Sequence, residues 1–75
     1  MANEINRPFD LLNQVMNKNV MVRLKGNKQL RGVLKAFDQH MNLVLDGTDE
    51  LQDDEKVATI GTVIVRGDNI LYVSP

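Results

Sequence analysis

The run VMVRLKGNKQLRGVLKAF, Val20 to Phe37, decides the fold. Val20, Val22 and Leu24 alternate with Met21, Arg23 and Lys25, the two-residue period of a strand that buries one face. Gly26-Asn27 then marks a turn, and the alternation resumes from Gln29 to Phe37, so the run predicts two antiparallel strands. Gly32 lies inside the second of them. A residue without a side chain weakens a strand unless the strand bends or another backbone approaches, and the expectation here is a bend.

Before this run the spacing is helical. Phe9, Leu12 and Met16, supported by Leu11 and Val15, recur at helical intervals behind Pro8, which suits a first helical turn. The helix is predicted over about 8–17, ended by Asn17-Lys18-Asn19. After the run come a turn over Asp38 to Met41, a short strand from Asn42 to Asp46, an acidic loop over about 47–56 and a strand from Val57 to Arg66. The β-branched residues of that last strand suggest burial on much of both sides, with Gly61 marking curvature. Gly67-Asp68 turns the chain into a final short strand, Asn69 to Val73, and no helix is expected after the first. The predicted class is mainly β: an N-terminal helix, then a strongly bent five-stranded antiparallel sheet tending towards a small open barrel.

The chain has 75 residues, which is one domain's worth. A chain of this size buries only about 60% of its unfolded surface, so an extra source of stability is expected. There is no cysteine and a single histidine, which excludes disulfides and thiolate metal sites and leaves association between copies. The last two strands are apolar and carry no proline before Pro75, so their edges are open to a second chain. If the strand from Val57 pairs with the last strand of a neighbour, the contact is head-to-tail and closes into a ring when the rotation allows. The first seven residues lack a secretory pattern and no apolar run is long enough to span a bilayer, so a soluble, cytoplasmic protein without a membrane partner is expected.

The net charge of -1 hides an asymmetry. Six of the ten acids lie between Asp46 and Glu55; outside that segment nine basic residues face four acids, a net +5. An acidic projection on a basic body fits a nucleic-acid binder. Catalysis is not expected, because there is no cysteine nucleophile, no triad around His40, and the acids cluster in one segment rather than across a cleft. That segment lacks the glycine and spacing of a calcium loop, and no metal or cofactor is predicted.

Two polar turns interrupt the apolar alternation, Phe37-Asp38-Gln39-His40-Met41-Asn42 and Arg66-Gly67-Asp68-Asn69. His40 and Arg66 offer planar groups on which a nucleobase can stack, Asn42 offers a paired donor and acceptor, and Asp68 is an acceptor able to orient Asn42. Each residue alone has a plainer reading: a solvated histidine, an asparagine bonded to its own turn, a tight turn at Arg66-Gly67-Asp68. Together they form a set that neither a turn nor a core requires. Asp38 reads as structural, bonding the turn backbone.

These residues carry a resemblance. The run Val20-x-Val-x-Leu-Lys-Gly26, Leu30-x-Gly-x-Leu34, Phe37-Asp38 and Met41-Asn42-Leu43 resembles the first motif of the Sm and Sm-like proteins, and Ile64-Val-Arg-Gly-Asp-Asn-Ile70 resembles the second. The motifs lie at about 20–46 and 57–74, across a variable loop, within one domain of residues 1–75. The length and the histidine before Met41-Asn42 most resemble archaeal members. The resemblance implies the bent sheet capped by a helix, a ring, usually of seven copies, joined through the fourth and fifth strands, and uridine-rich single-stranded RNA bound around the pore with one nucleotide per subunit. It implies that His40 and Arg66 sandwich the base, Asn42 bonds its edge, Asp68 holds Asn42 with its own amide near the base, and Gly67 gives the base room. It also implies a second RNA site beside the helix, where Arg7 matches but Phe37 replaces a frequent tyrosine. The expected function is a scaffold or chaperone in RNA processing, with RNA-processing proteins as partners; the alternative is a ring that chiefly recruits proteins and keeps a vestigial base pocket.

An Asn42 amide with one hydrogen bonded to Asp68, which can only accept, leaves its carbonyl and its second N–H for a ligand. Uracil N3–H and O4 match that pair, and cytosine reverses it, so a preference for uridine is expected.

Overall fold

A computed structural model describes residues 7–75. Residues 1–6, on which the reading of a leader segment falls, lie outside the described residues. The helix α1 spans Pro8–Gln14, with Pro8 at its first position behind an extended Arg7. Arg7 N donates to Asp10 Oδ2 at 3.0 Å, and its guanidinium reaches Asp10 Oδ1 at 3.2 Å. The helix is shorter than the predicted 8–17. Asn17 takes a left-handed conformation at φ 64 and donates its N–H to Leu34 O at 2.7 Å, so the chain leaves the helix to join the sheet.

Five strands follow: β1 Asn19–Leu24, β2 Lys28–Phe37, β3 Leu43–Gln52, β4 Glu55–Val65 and β5 Ile70–Ser74. They form one antiparallel sheet in the order β4-β3-β2-β1-β5, with β4 and β5 at its edges. Leu12 and Val15 pack with Val20, Val22, Leu30, Leu34, Leu43, Leu45 and Val65 in the core. Side chains from the helical segment and the first four strands thus meet on one face, with Ile70 and Val73 of β5 packed against them, as the two-residue alternation in the sequence requires. Among the described residues no helix is long and apolar enough to cross a membrane.

Gly32 is where the predicted bend meets its cause. The β2–β3 register shifts between Arg31 and Val33, a bulge that increases local twist. A Cβ built on Gly32 would lie 2.8 Å from the buried Thr48 hydroxyl and 3.0 Å from the Asp46 carbonyl oxygen, so the β3 backbone presses on β2 at this point. Gly61 lies opposite Thr48, where the β3–β4 register also shifts.

Three expectations need correction. The acidic loop predicted over 47–56 is a continuous hairpin: β3 runs to Gln52, β4 starts at Glu55, and Asp53 and Asp54 form a two-residue turn with φ 53 and 65. The acids are mostly strand residues held across the ladder, with Thr62 donating to Asp46 at 2.8 Å, Thr59 to Asp49 at 3.1 Å, and Lys56 paired to Asp49 at 3.6 Å. Their polarity marked exposure, and cross-strand hydrogen bonds keep the segment extended. Secondly, β4 is not buried on both sides: Val57, Ile60 and Ile64 are 53%, 40% and 74% exposed, because β-branched residues report strand conformation and this strand is an edge. Thirdly, Gly67–Asn69 is a turn of 3₁₀-helix, so one helical turn follows the first helix.

Gly32→Ala is expected to destabilise the chain by about 1–3 kcal/mol through overpacking against Thr48 and Asp46, read as a lowered melting temperature. An unchanged melting temperature would show that β3 yields freely there.

Candidate functional site

The turn after β2 is built around one carboxylate. Asp38 Oδ1 accepts the N–H groups of His40 at 2.9 Å and Asn42 at 3.0 Å, and Asp38 Oδ2 accepts the Asn42 side-chain amide at 3.0 Å. Met41, at φ 65, takes the left-handed conformation that lets the turn fold back, and Asp38 N donates to Asn42 O at 3.2 Å. This network holds both the Asn42 backbone and its amide orientation.

The second turn meets the first through one bond. Gly67 N–H donates to Asn42 Oδ1 at 2.8 Å, joining two turns that are 25 residues apart. A Cβ on Gly67 would collide with the His40 carbonyl oxygen and lie 3.0 Å from the Met41 carbonyl. Only glycine permits this approach. Gly67 is therefore set by the neighbouring backbone, whatever room it also leaves for a ligand.

His40, Asn42, Arg66, Gly67 and Asp68 are thus brought to one place. His40 and Arg66 are exposed, and Asn42 and Gly67 are half-buried between the turns. One predicted contact is overturned. Asp68 does not hold Asn42; it pairs with Arg66 at 3.2 Å, both side chains extending into solvent, while Asp38 takes the orienting role. Asp38 follows an acid's local reach, two and four residues along its own turn, whereas Asp68 would have to cross to another element. The sequence signal was present, since an Asp two residues before a turn residue commonly bonds that residue's N–H.

The helix-side residues divide. Arg7 lines a cleft of 410 Å³ with Pro8, Phe9, Gln39 and Met41. Phe37 does not line it, and packs its ring on Phe9 at 5.4 Å between centroids.

Hydrogen bonding from the Asn42 side-chain amide, with the backbone N–H groups of Asn42 and His40, holds the Asp38 carboxyl below the usual carboxylate range. The Thr62 hydroxyl, then the Gly47 N–H and the Lys35 charge, lower Asp46 in the same way. A depressed carboxylate contributes stability above its unfolded pKa of about 4, and that contribution is lost as pH falls through the folded value. Acidification below about pH 4 is accordingly expected to release the Asn42 amide and lower the melting temperature. Asp38→Asn should show a smaller acid-dependent change in the Asn42 side-chain NMR signal; an unaltered change would exclude Asp38 as its holder.

The LSM domain matches residues 10–75 of the chain. An snRNP Sm-like protein of Methanococcoides burtonii is 59% identical over 70 residues, covering 93% of this chain and 97% of that one. The solved structure of a Pyrococcus abyssii Sm protein in complex with a uridine heptamer superposes with a TM-score of 0.89 at 40% identity, over 93% of this chain and 99% of that one. A heptameric archaeal Sm protein superposes with a TM-score of 0.81 at 40% identity, over 87% and 94%. With this match over nearly its whole described length, and with the helix and bent five-stranded sheet that its own residues form, the chain belongs to the LSM family of Sm-like proteins.

Proposed function

We propose that the protein is a non-catalytic binder of uridine-rich single-stranded RNA, acting as a heptameric ring in RNA processing or ribonucleoprotein assembly. The observation that carries this reading is the Asn42 amide clamped between Asp38 and the Gly67 N–H, with His40 and Arg66 exposed on the same pair of turns. Asp38 uses one amide hydrogen and Gly67 one lone pair, so Asn42 retains one donor and one acceptor in a fixed order. Uracil N3–H and O4 match that order. His40 and Arg66 supply stacking surfaces, with Arg66 leaving Asp68 to cover the base. The Asp68 amide and the space over Gly67 complete the pocket, and the Arg7 cleft offers a helix-side RNA contact.

The edges support association. Ile64 on β4 is 74% exposed and Leu71 on β5 is 58% exposed, at opposite ends of one sheet, so a head-to-tail contact covers both and continues the hydrogen-bond ladder. The relatives bound to a uridine heptamer and assembled as a heptamer support the same reading. Repeating one weak pocket around a ring raises the effective concentration for each further nucleotide.

Titration of labelled oligouridine and oligocytidine tests the pocket. Asn42→Ala is expected to lose the preference for uridine, which at about 1–3 kcal/mol per buried mismatch is a large effect. Arg66→Ala should weaken both oligomers by about 1–3 kcal/mol per stacked base. Retained selectivity in Asn42→Ala would remove its role, and absence of saturable binding at moderate salt would overturn the RNA reading. Native mass spectrometry with and without oligouridine should show seven subunits and one pocket loaded per subunit.

A further inference from the structure

The chain contains one aspartate followed by glycine, Asp46-Gly47, and no asparagine followed by glycine. Glycine leaves its amide nitrogen unshielded and gives the backbone the widest freedom, so this is the bond at which an aspartate side chain meets the next N–H most readily. The fold places the pair at an irregular point of β3. Leu45 pairs with Val63 and Thr48 with Gly61 on β4, so Asp46 and Gly47 together face the single residue Thr62. On the other side Asp46 pairs with Val33 and Asp49 with Arg31 on β2, so Gly47 and Thr48 face only Gly32. Gly47 is the extra residue in both ladders, a bulge with φ 58.

Asp46, Gly47 and Thr62 are all exposed. Gly47 N–H donates to Asp46 Oδ1 at 2.9 Å, and the Thr62 hydroxyl donates to the same oxygen at 2.8 Å. The carboxyl is therefore folded back on the amide of its own successor, and a hydroxyl from the edge strand holds it there. Thr62, then the Gly47 N–H, keep this carboxyl below the usual carboxylate range, helped by Lys35 on β2; among the described residues β4 offers it only the uncharged Thr62. An ionised carboxyl resists attack by a nitrogen nucleophile, whereas a protonated one accepts it.

We propose that Asp46-Gly47 is a site of aspartate isomerisation and that the Thr62 hydroxyl restrains it. In the first step the Gly47 nitrogen bonds to Cγ of the protonated Asp46 carboxyl. The carboxyl OH and the amide hydrogen leave as water, and a five-membered succinimide closes. Water then opens the ring at either carbonyl. Opening at Cγ restores aspartate; opening at the α-carbonyl routes the main chain through Cγ, adds one methylene to it and frees the α-carboxyl as a side group. The Asp46 carbonyl oxygen lies 3.0 Å from a Cβ position on Gly32, so isomerisation puts a charged carboxylate and a longer backbone where β3 presses closest on β2. The product loses the contact that bends the sheet. This inference uses neither the Asn42 pocket nor the RNA reading.

The assembled protein, aged in neutral and in mildly acidic buffer, provides the test. Isoaspartate is read as methyl transfer from labelled S-adenosylmethionine by an isoaspartate-specific carboxyl methyltransferase, and is located by peptide mapping. It is expected at Asp46 ahead of every other aspartate, and the modified chains should melt at a lower temperature. Thr62→Val should raise its rate of appearance about threefold, as for a hydrogen bond to a charged group discounted for exposure. Thr62→Ser, which keeps the hydroxyl, should match wild type. The rate should climb as acid protonates the carboxyl, at a lower pH in the native chain than in the urea-unfolded chain, and Thr62→Val should move the native profile back towards the unfolded one. A merely structural role for Thr62 would leave that profile in place. Absence of isoaspartate from Asp46 in Thr62→Val overturns the site, and equal rates in wild type and Thr62→Val overturn the restraint. If native mass spectrometry shows that Thr62→Val does not assemble, the wild-type profiles decide: displacement from the urea-unfolded chain upholds the proposal, and coincidence with it overturns it.

Discussion

The hydrogen bond from Gly67 N–H to Asn42 Oδ1 ties together the two turns from which the site is built. The turns belong to opposite halves of the chain, one leaving β2 and the other leaving β4, and the pairing of Leu43 with Val65 brings them side by side. The bond is possible because Gly67 has no side chain to meet the His40 and Met41 carbonyls. It is productive because Asp38 has already fixed which atom of the Asn42 amide faces Gly67. One glycine, one carboxylate and one amide therefore convert a structural junction into a surface with a defined donor and acceptor.

The same economy governs the sheet. A chain this short cannot enclose a large core, and the close approach at Gly32 lets β2 and β3 curve so that a few leucines and valines are shared between α1 and both halves of the sheet. Curving leaves β4 and β5 as edges with exposed Ile64 and Leu71. In the proposed ring these edges meet, so the surface that one copy lacks is supplied by the next, and the pockets repeat around the assembly.

Charge is partitioned along the sheet as well. The acids of β3 are tied by the threonines and Lys56 of β4, which keeps the hairpin extended rather than loose. The cations of β1 and β2 form no ion pair among the described residues, although the Lys35 charge acts on Asp46. A net charge near zero says nothing of this, because it averages two regions of opposite sign.

The sequence by itself determined the order of helix and five strands and the turns at Gly26, Asp38 and Gly67, because alternation and turn chemistry are local properties read over a few residues. It did not determine that Asp38 rather than Asp68 holds Asn42. Both acids have the right chemistry, and the choice depends on which one the folded turn brings within 3.0 Å of the amide. Nor did it determine that the acidic segment continues as strand, since six carboxylates signal exposure in a loop and in a hairpin alike. The tertiary structure decided it by bringing Thr59 and Thr62 within hydrogen-bonding reach of Asp49 and Asp46. The burial of β4 was likewise undetermined, because β-branched residues favour a strand whether its outer edge meets another strand or water.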